Sequence, residues 1–362
     1  MNDVILKDIG AFERADIMSM TLEELREFVT SVLKAPKFRA DQLYGWMQKG
    51  RSFDEMTNLP ASFKKSLSDV AEYRLPRIAE KYVSKKDGTV KYLMELVDGE
   101  CIESVFMKYE HGNTVCVSCQ AGCRMGCRFC ASTLRGKKRD LFPSEILGQI
   151  AVITGDTGER VSGVVMMGIG EPLDNYGNTV KFLKLVSAPG GLSIGLRHIS
   201  VSTCGIVPNI KKLAGEGLPV TLSVSLHAAD NGVRDSLMPI NRKYPIEELL
   251  EACRYYFDTT GRRVSFEYTL ISGENDSREA ALHLAKILKA GMHGETCHVN
   301  LIMLNEVAET PYSSVGRGRA EEFCNTLLSC GIAATVRRRL GSDINASCGQ
   351  LRLANIKDKT EK

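Results

Sequence analysis

Cys123, Cys127 and Cys130 fall within eight residues, in the run Gly122-Cys123-Arg124-Met125-Gly126-Cys127-Arg128-Phe129-Cys130. Clustered thiolates are iron–sulfur ligands. Three of them can hold three irons of a [4Fe–4S] cube and leave the fourth iron without a protein ligand. An open iron can chelate a small molecule through its amino and carboxylate groups. Zinc is the alternative guest. Cys116-x-x-Cys119 and Cys127-x-x-Cys130 form two Cys-x-x-Cys pairs, the donor set of a tetrahedral zinc ribbon. The seven residues between those pairs are fewer than ribbons usually have, and Cys123 would play no part in such a site.

A second group of candidates lies further on. Val165-Met166-Met167-Gly168-Ile169-Gly170-Glu171-Pro172-Leu173 reads as a buried strand running into a glycine-rich turn. Glycines let the backbone approach a ligand closely, and a carboxylate such as Glu171 can pair with an amino group. Ser202, Ser225-Leu226-His227 and Asn305 each close a later apolar run.

The elements that must position these residues alternate. Strand-like runs are Thr114–Val117, Val161–Met167, His198–Ser202, Val220–Ser225, Val264–Leu270, Cys297–Leu304 and Ala333–Arg337. Amphipathic stretches separate them: Ser144–Thr154, Asn178–Ser187, Asn209–Gly215, Ile246–Asp258, Ser277–Ala290 and Ala320–Cys330. Such alternation predicts an α/β fold, a parallel sheet with helices outside. Six units fall short of a closed eight-stranded barrel, so a partial (β/α)6 barrel is expected, open enough for a large substrate. Chemistry in such folds gathers at the C-terminal strand ends, where all the candidates fall.

Two appendages precede this barrel. Residues 1–75 read as a helical domain, with a capping box at Thr21-Leu22-Glu23-Glu24. An apolar stripe of Leu22, Leu25, Phe28, Val29 and Val32 follows it. The aromatic and basic residues here, Phe38, Arg39, Tyr44, Trp46, Lys64 and Lys65, would suit RNA or a small core with a charged surface; for Trp46 the core is favoured. Residues 76–112 carry two alternating runs, Tyr92–Val97 and Cys101–Met107, separated by the hairpin signal Asp98-Gly99. The barrel is then placed at 113–340 and a C-terminal segment at 341–362.

Composition sets the outer limits. The 362 residues are 43% apolar and 25% charged, with a net charge of +3, so bulk electrostatics do not announce a nucleic-acid binder. Positive charge is local, at Arg135-Lys137-Lys138-Arg139 and at Arg337-Arg338-Arg339, and both runs flank candidate chemistry. No apolar run reaches about 18 residues, so no membrane span is expected. The first eight residues lack the pattern of a signal peptide. Twelve cysteines are too few for a disulfide scaffold. Cys204, Cys253, Cys297, Cys324 and Cys330 read as ordinary core residues.

Taken in order, the motifs resemble one family. Val115-Cys116-Val117-Ser118, Gln120-Ala121-Gly122-Cys123, Cys127 and Phe129-Cys130 look like the core motif of the RlmN-type adenine-carbon-2 RNA methyltransferases. Gly168-Ile169-Gly170-Glu171-Pro172-Leu173-Asp174-Asn175, Ser202-Thr203-Cys204-Gly205, Ser225-Leu226-His227-Ala228 and Val299-Asn300-Leu301-Ile302 are similar to the same family. So is Asp343-Ile344-Asn345-Ala346-Ser347-Cys348-Gly349-Gln350-Leu351, and the likeness spans nearly the whole chain.

The resemblance implies a radical S-adenosylmethionine enzyme. Cys123, Cys127 and Cys130 would hold a [4Fe–4S] cluster. Gly170, Glu171, Ser202, Ser225, Leu226, His227 and Asn305 would surround S-adenosylmethionine. Cys348 would carry a methyl group, from which the 5′-deoxyadenosyl radical removes a hydrogen before the carbon adds to adenine. Cys116 would then attack Cys348, forming a transient disulfide and releasing product. Glu103 would accept a proton; without the resemblance it reads as a solvent-facing strand residue.

Implied partners are 23S ribosomal RNA at the peptidyl transferase centre and transfer RNA beside the anticodon. A flavodoxin-like or ferredoxin-like electron donor and a thiol reductant are implied too, for a cytoplasmic monomer. Two positions depart from the family: Cys119 stands where serine is usual, and Ser347 where alanine is usual. Pro172 sides with the carbon-2 group against its carbon-8 sister group. The other alternative is a zinc-stabilised RNA-binding protein without catalysis, which would leave Glu171 and Ser225-Leu226-His227 unused.

Overall fold

In a computed structural model of the chain, which describes residues 14–292 and 297–351, the first helix begins at the capping box. The Thr21 hydroxyl accepts from the Glu24 N–H at 3.3 Å, and the Glu24 carboxylate accepts from the Thr21 N–H at 2.7 Å. Helix α1 (Leu22–Ser31) buries Leu25, Phe28 and Val29. Val32, the last residue of the expected stripe, is exposed at the helix end. Helices α2 (Phe38–Met47) and α3 (Ala61–Val70) complete a small apolar core with Ile17, Leu43, Met56 and Leu67. Trp46 packs at its edge and donates to Asn58 at 2.6 Å, in keeping with the core reading. The signal-peptide reading of the first eight residues lies outside the described residues, as do residues 352–362 of the C-terminal segment.

One ten-stranded sheet forms the body. Its strands are β1 (Arg77–Val83), β2 (Val90–Glu95), β3 (Cys101–Tyr109), β4 (Gly112–Cys116) and β5 (Val161–Met166), then β6 (Ile199–Thr203), β7 (Thr221–Ser225), β8 (Val264–Leu270), β9 (His298–Met303) and β10 (Ala333–Val336). Each strand pairs with its neighbour in the chain. Pairing is antiparallel from β1 to β4 and parallel from β4 to β10. The seven parallel strands are those expected from the sequence. Helices α4 (Pro143–Thr157), α5 (Tyr176–Val186), α6 (Val207–Ala214), α7 (Asn231–Leu237), α8 (Ile246–Thr260), α9 (Arg278–Gly291) and α10 (Arg317–Ser329) supply the crossovers. This is the partial barrel that the alternation predicts.

The structure adds to the expected hairpin. The Asp98-Gly99 turn forms, with Gly99 at φ +84°, but its strands are the antiparallel margin of the same sheet. The outermost strand, β1, escaped the sequence reading because its run of Arg77, Glu80 and Lys81 is the charged composition of an edge strand.

The two faces of β3 serve different neighbours. Ile102 and Phe106 join the large core beneath α4. Val105 and Met107 share the opposite face with Cys116, Leu340, Ala346 and Leu351. That face is roofed by the C-terminal loop. The Ser84 hydroxyl donates to Asp343 at 2.7 Å, the Gly341 N–H to Asp87 at 3.0 Å, and the Lys91 ammonium to the Asn345 carbonyl at 3.3 Å. Gly341 sits at φ +62° with Ala346 so close that a Cβ would meet it at 2.7 Å, so the tight turn requires glycine.

Candidate active site

The segment after β4 and the turn after β5 are zipped together. The Cys119 N–H donates to the Ile169 carbonyl at 2.9 Å, the Ile169 N–H to the Ser118 hydroxyl at 2.9 Å, and the Glu171 N–H to the Gln120 side chain at 2.9 Å. Gly170 has φ +108°, and a Cβ there would stand 2.6 Å from Gln120. The glycines of the turn are therefore needed for close backbone approach. The cysteine loop leaves this seam at Gly122, whose Cβ would overlap the Gly136 carbonyl.

The loop faces a cavity of about 150 Å³ that opens to solvent. Cys123, Cys127, Cys130, Gly170, Glu171, Ser202, Ser225, His227, Asn305 and Cys348 all line it. So do Met125, Met167 and Met238, Thr269, Glu267 and Arg337, which the motif reading did not single out for the pocket. Leu226 is different. It is fully buried in the main core and does not line the cavity. Only its backbone serves the site: its N–H donates to the Glu267 carbonyl at 3.0 Å. The alternation of a strand end, which points Ser225 inward, points Leu226 the other way.

Glu171 is occupied by the protein itself. One oxygen accepts the Cys204 N–H at 2.7 Å and the other the Leu173 N–H at 3.0 Å. Burial pushes its pKa up, and these bonds oppose the shift. It ties the turn after β5 to the end of β6. Cys204, read as an ordinary core residue, also lines the cavity.

His227 adopts φ +55°, uncommon for a residue with a side chain. Its Nδ1 accepts the Thr269 N–H at 2.9 Å, which leaves Nε2 as the protonated nitrogen. Burial, with help from Arg234, lowers its pKa to about 3, so the ring is neutral. The ring meets Phe129 of the cysteine loop edge-on at 5.0 Å.

Arg234, on α7, went unrecognised in the sequence. Its side chain is fully buried and binds the carbonyls of Leu226 at 3.0 Å, Cys204 at 2.8 Å and Ser225 at 3.1 Å. It cross-links the ends of β6 and β7. A lone arginine in a seven-residue helix reads as surface, so no periodic signal marks it.

Cys348 sits in a turn and is half-buried. Its carbonyl accepts from Asn305 Nδ2 at 2.9 Å, and the next carbonyl, of Gly349, accepts the Ala131 N–H at 2.8 Å. The C-terminal loop is thus docked directly on the cysteine loop. Cys116 is buried on the face of the sheet that this loop covers. Burial, then the charge of Cys348, pushes its thiol up to about 12, while Arg337 opposes the shift. Glu103 lies on the same face of β3 as Val105, the register partner of Cys116. It is buried, with Lys91 at 2.9 Å, and is not the solvent-facing residue its sequence suggests.

Lys137, Arg139 and Arg337 of the basic runs are half-buried. Lys137 pairs with Asp140 at 2.7 Å and Asp174 at 2.9 Å, and Arg139 with Glu145 at 2.7 Å and Asp98 at 2.5 Å. Arg339 donates to Asn305 at 2.7 Å. Arg135, Lys138, Arg338 and Arg339 are exposed.

The geometry decides between the two guests. A zinc ribbon would need Cys116, Cys119, Cys127 and Cys130 around one ion. Cys116 instead lies beneath the C-terminal loop, Cys119 in the core under α4, and Cys127 and Cys130 at the cavity. Among the described residues no three His, Cys, Asp or Glu side chains converge on a single ion. Cys123, Cys127 and Cys130 all line the cavity, which suits a cube that offers each thiolate its own iron. Burial pushes all three thiols up, helped by neighbouring thiols of the set at Cys123 and Cys127 and by Cys348 at Cys130, so this donor set favours a cationic guest.

Comparison with known proteins agrees. The Radical SAM superfamily model matches residues 117–285, and the ribosomal RNA large subunit methyltransferase N-terminal domain matches residues 15–73. A probable dual-specificity RNA methyltransferase RlmN of Clostridium novyi is 50% identical over 345 residues, 95% of this chain and 99% of that one. The protein of the same description from Pelotomaculum thermopropionicum is 53% identical over 342 residues, 94% of this chain and 92% of that one. The chain belongs to the RlmN family. The crystal structure of a radical SAM methyltransferase from Sphaerobacter thermophilus superposes with a TM-score of 0.87 at 41% identity, covering 93% of this chain and 99% of that one. As an RlmN family member the chain is a radical SAM RNA methyltransferase that uses a [4Fe–4S] cluster and S-adenosylmethionine. No helix among the described residues is long and apolar enough to cross a membrane.

Proposed function

We propose that this chain methylates carbon 2 of adenosine in 23S ribosomal RNA and in transfer RNA, with Cys348 as methyl carrier and Cys116 as resolving thiol. The observation that carries the reading is the seat of Cys348. It lines the same cavity as Cys123, Cys127 and Cys130, while its loop roofs the face that buries Cys116. When bound, the cluster and S-adenosylmethionine supply the methyl group and a 5′-deoxyadenosyl radical.

The chain's own residues do the rest. Cys123, Cys127 and Cys130 hold the cluster. Ser202, Ser225, the Nε2–H of His227 and the backbone of Gly170 face S-adenosylmethionine. Glu171 keeps the two flanking loops together, so it acts on the cofactor through their backbone. Cys348 presents its carbon to the base. Glu103 accepts a proton, its carboxylate steadied by Lys91. Cys116 attacks the Cys348 sulfur, and a cellular thiol later reduces the disulfide. Exposed Arg338, at the mouth of an adjoining cavity beside Cys348, is placed to meet a phosphate. A flavodoxin-like or ferredoxin-like protein supplies electrons to a cytoplasmic monomer.

Mass spectrometry of ribosomal and transfer RNA from cells with and without the gene tests the reading. Loss of 2-methyladenosine from both RNA classes is expected. Unchanged RNA would remove the assignment, and loss of a carbon-8 methyl would move the chain to the sister group.

A further inference from the structure

Lys91 stands between Glu103 and the loop that carries Cys348. It lies on β2, where its register partner on β3 is Val105, and Val105 pairs in turn with Cys116 on β4. Glu103, two residues before Val105, shares that face. Lys91 and Glu103 are therefore diagonal neighbours across the β2–β3 pair. Their side chains are 11% and 9% exposed, and ammonium and carboxylate meet at 2.9 Å. A pair this dry is little weakened by salt.

The same ammonium donates to the Asn345 carbonyl at 3.3 Å. Asn345 adopts φ +51°, a left-handed conformation that asparagine tolerates. The turn that holds it is closed by the Gly341 carbonyl, which accepts the N–H of Ile344 at 3.2 Å and of Ala346 at 3.1 Å. The carbonyl that meets Lys91 thus belongs to a fixed turn. From β1 the Tyr82 ring lies 5.3 Å from the Lys91 nitrogen. One buried cation therefore joins a carboxylate of the sheet to the C-terminal loop.

We propose that Lys91 is a positioning residue that sets the distance between Glu103 and the base carried on Cys348. The inference rests on the roles given above to Glu103 and Cys348. In the step concerned, carbon 2 of adenine is joined to the Cys348 sulfur through the methylene carbon. The carbon-2 C–H bond breaks, an O–H bond forms on Glu103, and the bonding electron pair stays on the base.

Such a transfer needs the carboxylate within hydrogen-bond reach of the proton. The base hangs from Cys348, three residues past Asn345, so the height of this loop decides how far carbon 2 lies from Glu103. Lys91 refers both ends to one nitrogen. A neutral side chain would not serve as well, because a buried carboxylate without a cation is costly to keep ionised.

The test uses the full-length, cluster-loaded protein with transcripts of transfer RNA and of 23S ribosomal RNA, made with hydrogen or deuterium at carbon 2 of adenine. Lys91→Met should slow turnover about tenfold or more, part of the roughly 10²–10⁴-fold that a placed base contributes. Its deuterium isotope effect should exceed the parent's, because proton removal then limits the rate. Iodoacetamide applied without RNA should label Cys348 about fivefold faster than in the parent, the worth of one bond to the loop. Peptide mass spectrometry reads that label. Glu103→Gln should be slow too, yet label at the parent rate, since Lys91 still holds Asn345. Lys91→Gln carries the test by the isotope effect if Lys91→Met does not fold. An isotope effect no larger than the parent's overturns the aiming of Glu103, and labelling no faster overturns the tie to the loop. If Glu103→Gln turns over at the parent rate, the reading beneath fails; if it is slow and Lys91→Met is not, only the role of Lys91 fails.

Discussion

Asn305 grips the Cys348 backbone by its amide nitrogen, at 2.9 Å, and accepts from Arg339 by its amide oxygen, at 2.7 Å. A residue expected to touch the cofactor thus also sets the height of the methyl-carrying loop. Asn305→Ala removes a bond of about 1 kcal/mol, so methyl loading of Cys348 should slow about fivefold. Peptide mass spectrometry over time reads this rate directly. An unchanged rate would show that the loop is held without Asn305.

The cluster prediction concerns metal content. Cys127→Ala leaves two thiolates where three are needed, so iron, visible absorbance and deoxyadenosine production should all be lost together. Zinc analysis of the same sample guards against substitution of the guest. Retention of a full cluster would move the ligand set away from Cys127.

The two working thiols should fail differently. Cys348→Ala has nowhere to load the methyl and should yield free protein with unmodified RNA. Cys116→Ala can still attack adenine but cannot break the carbon–sulfur link, so it should trap RNA through Cys348. Cys119 is a poor substitute, because it lies in the core under α4 while Cys116 lies on the face beneath the C-terminal loop. Full product formation by Cys116→Ala without a trapped species would falsify its role, and the Cys116→Ala, Cys119→Ala pair would then show which thiol had taken over.

His227 gives the stability a signature in pH. Its pKa falls from 6.5 to about 3 on folding. Between those values the unfolded chain binds the proton and the folded chain does not, so stability rises with pH across that window and is lost as pH falls through it. His298 shifts in the same direction, so the comparison must be between proteins. His227→Asn suits the left-handed backbone and can accept the Thr269 N–H. Its melting temperature should fall less steeply than that of the parent from pH 6.5 to 5. Parallel slopes would show that His227 is protonated in the fold.

Much of this was legible because the sheet is built from strong local signals. The apolar runs from Thr114 to Arg337 marked the seven parallel strands, and the motifs marked their ends. The residues that lock the site were not legible. Arg234 and Glu267 are charges inside the protein, and sequence pattern assigns charges to the surface. Leu226 was misplaced because a motif names neighbours, whereas a strand end sends alternate residues to opposite sides. Arg337 and Arg339 read as one basic run, yet one turns to the Met167 sulfur and the other to Asn305. Only register and side-chain direction separate them.

The order of the sheet has a consequence for synthesis. Every strand pairs with the one made just before it, so the body can assemble as the chain emerges. The bond from Ser84 to Asp343 is of another kind, joining residues 259 apart. Nearly the whole polypeptide must exist before the loop bearing Cys348 can fasten over the first strands. An unfinished chain can therefore build the cysteine loop, but it has no thiol in place to take up a methyl group.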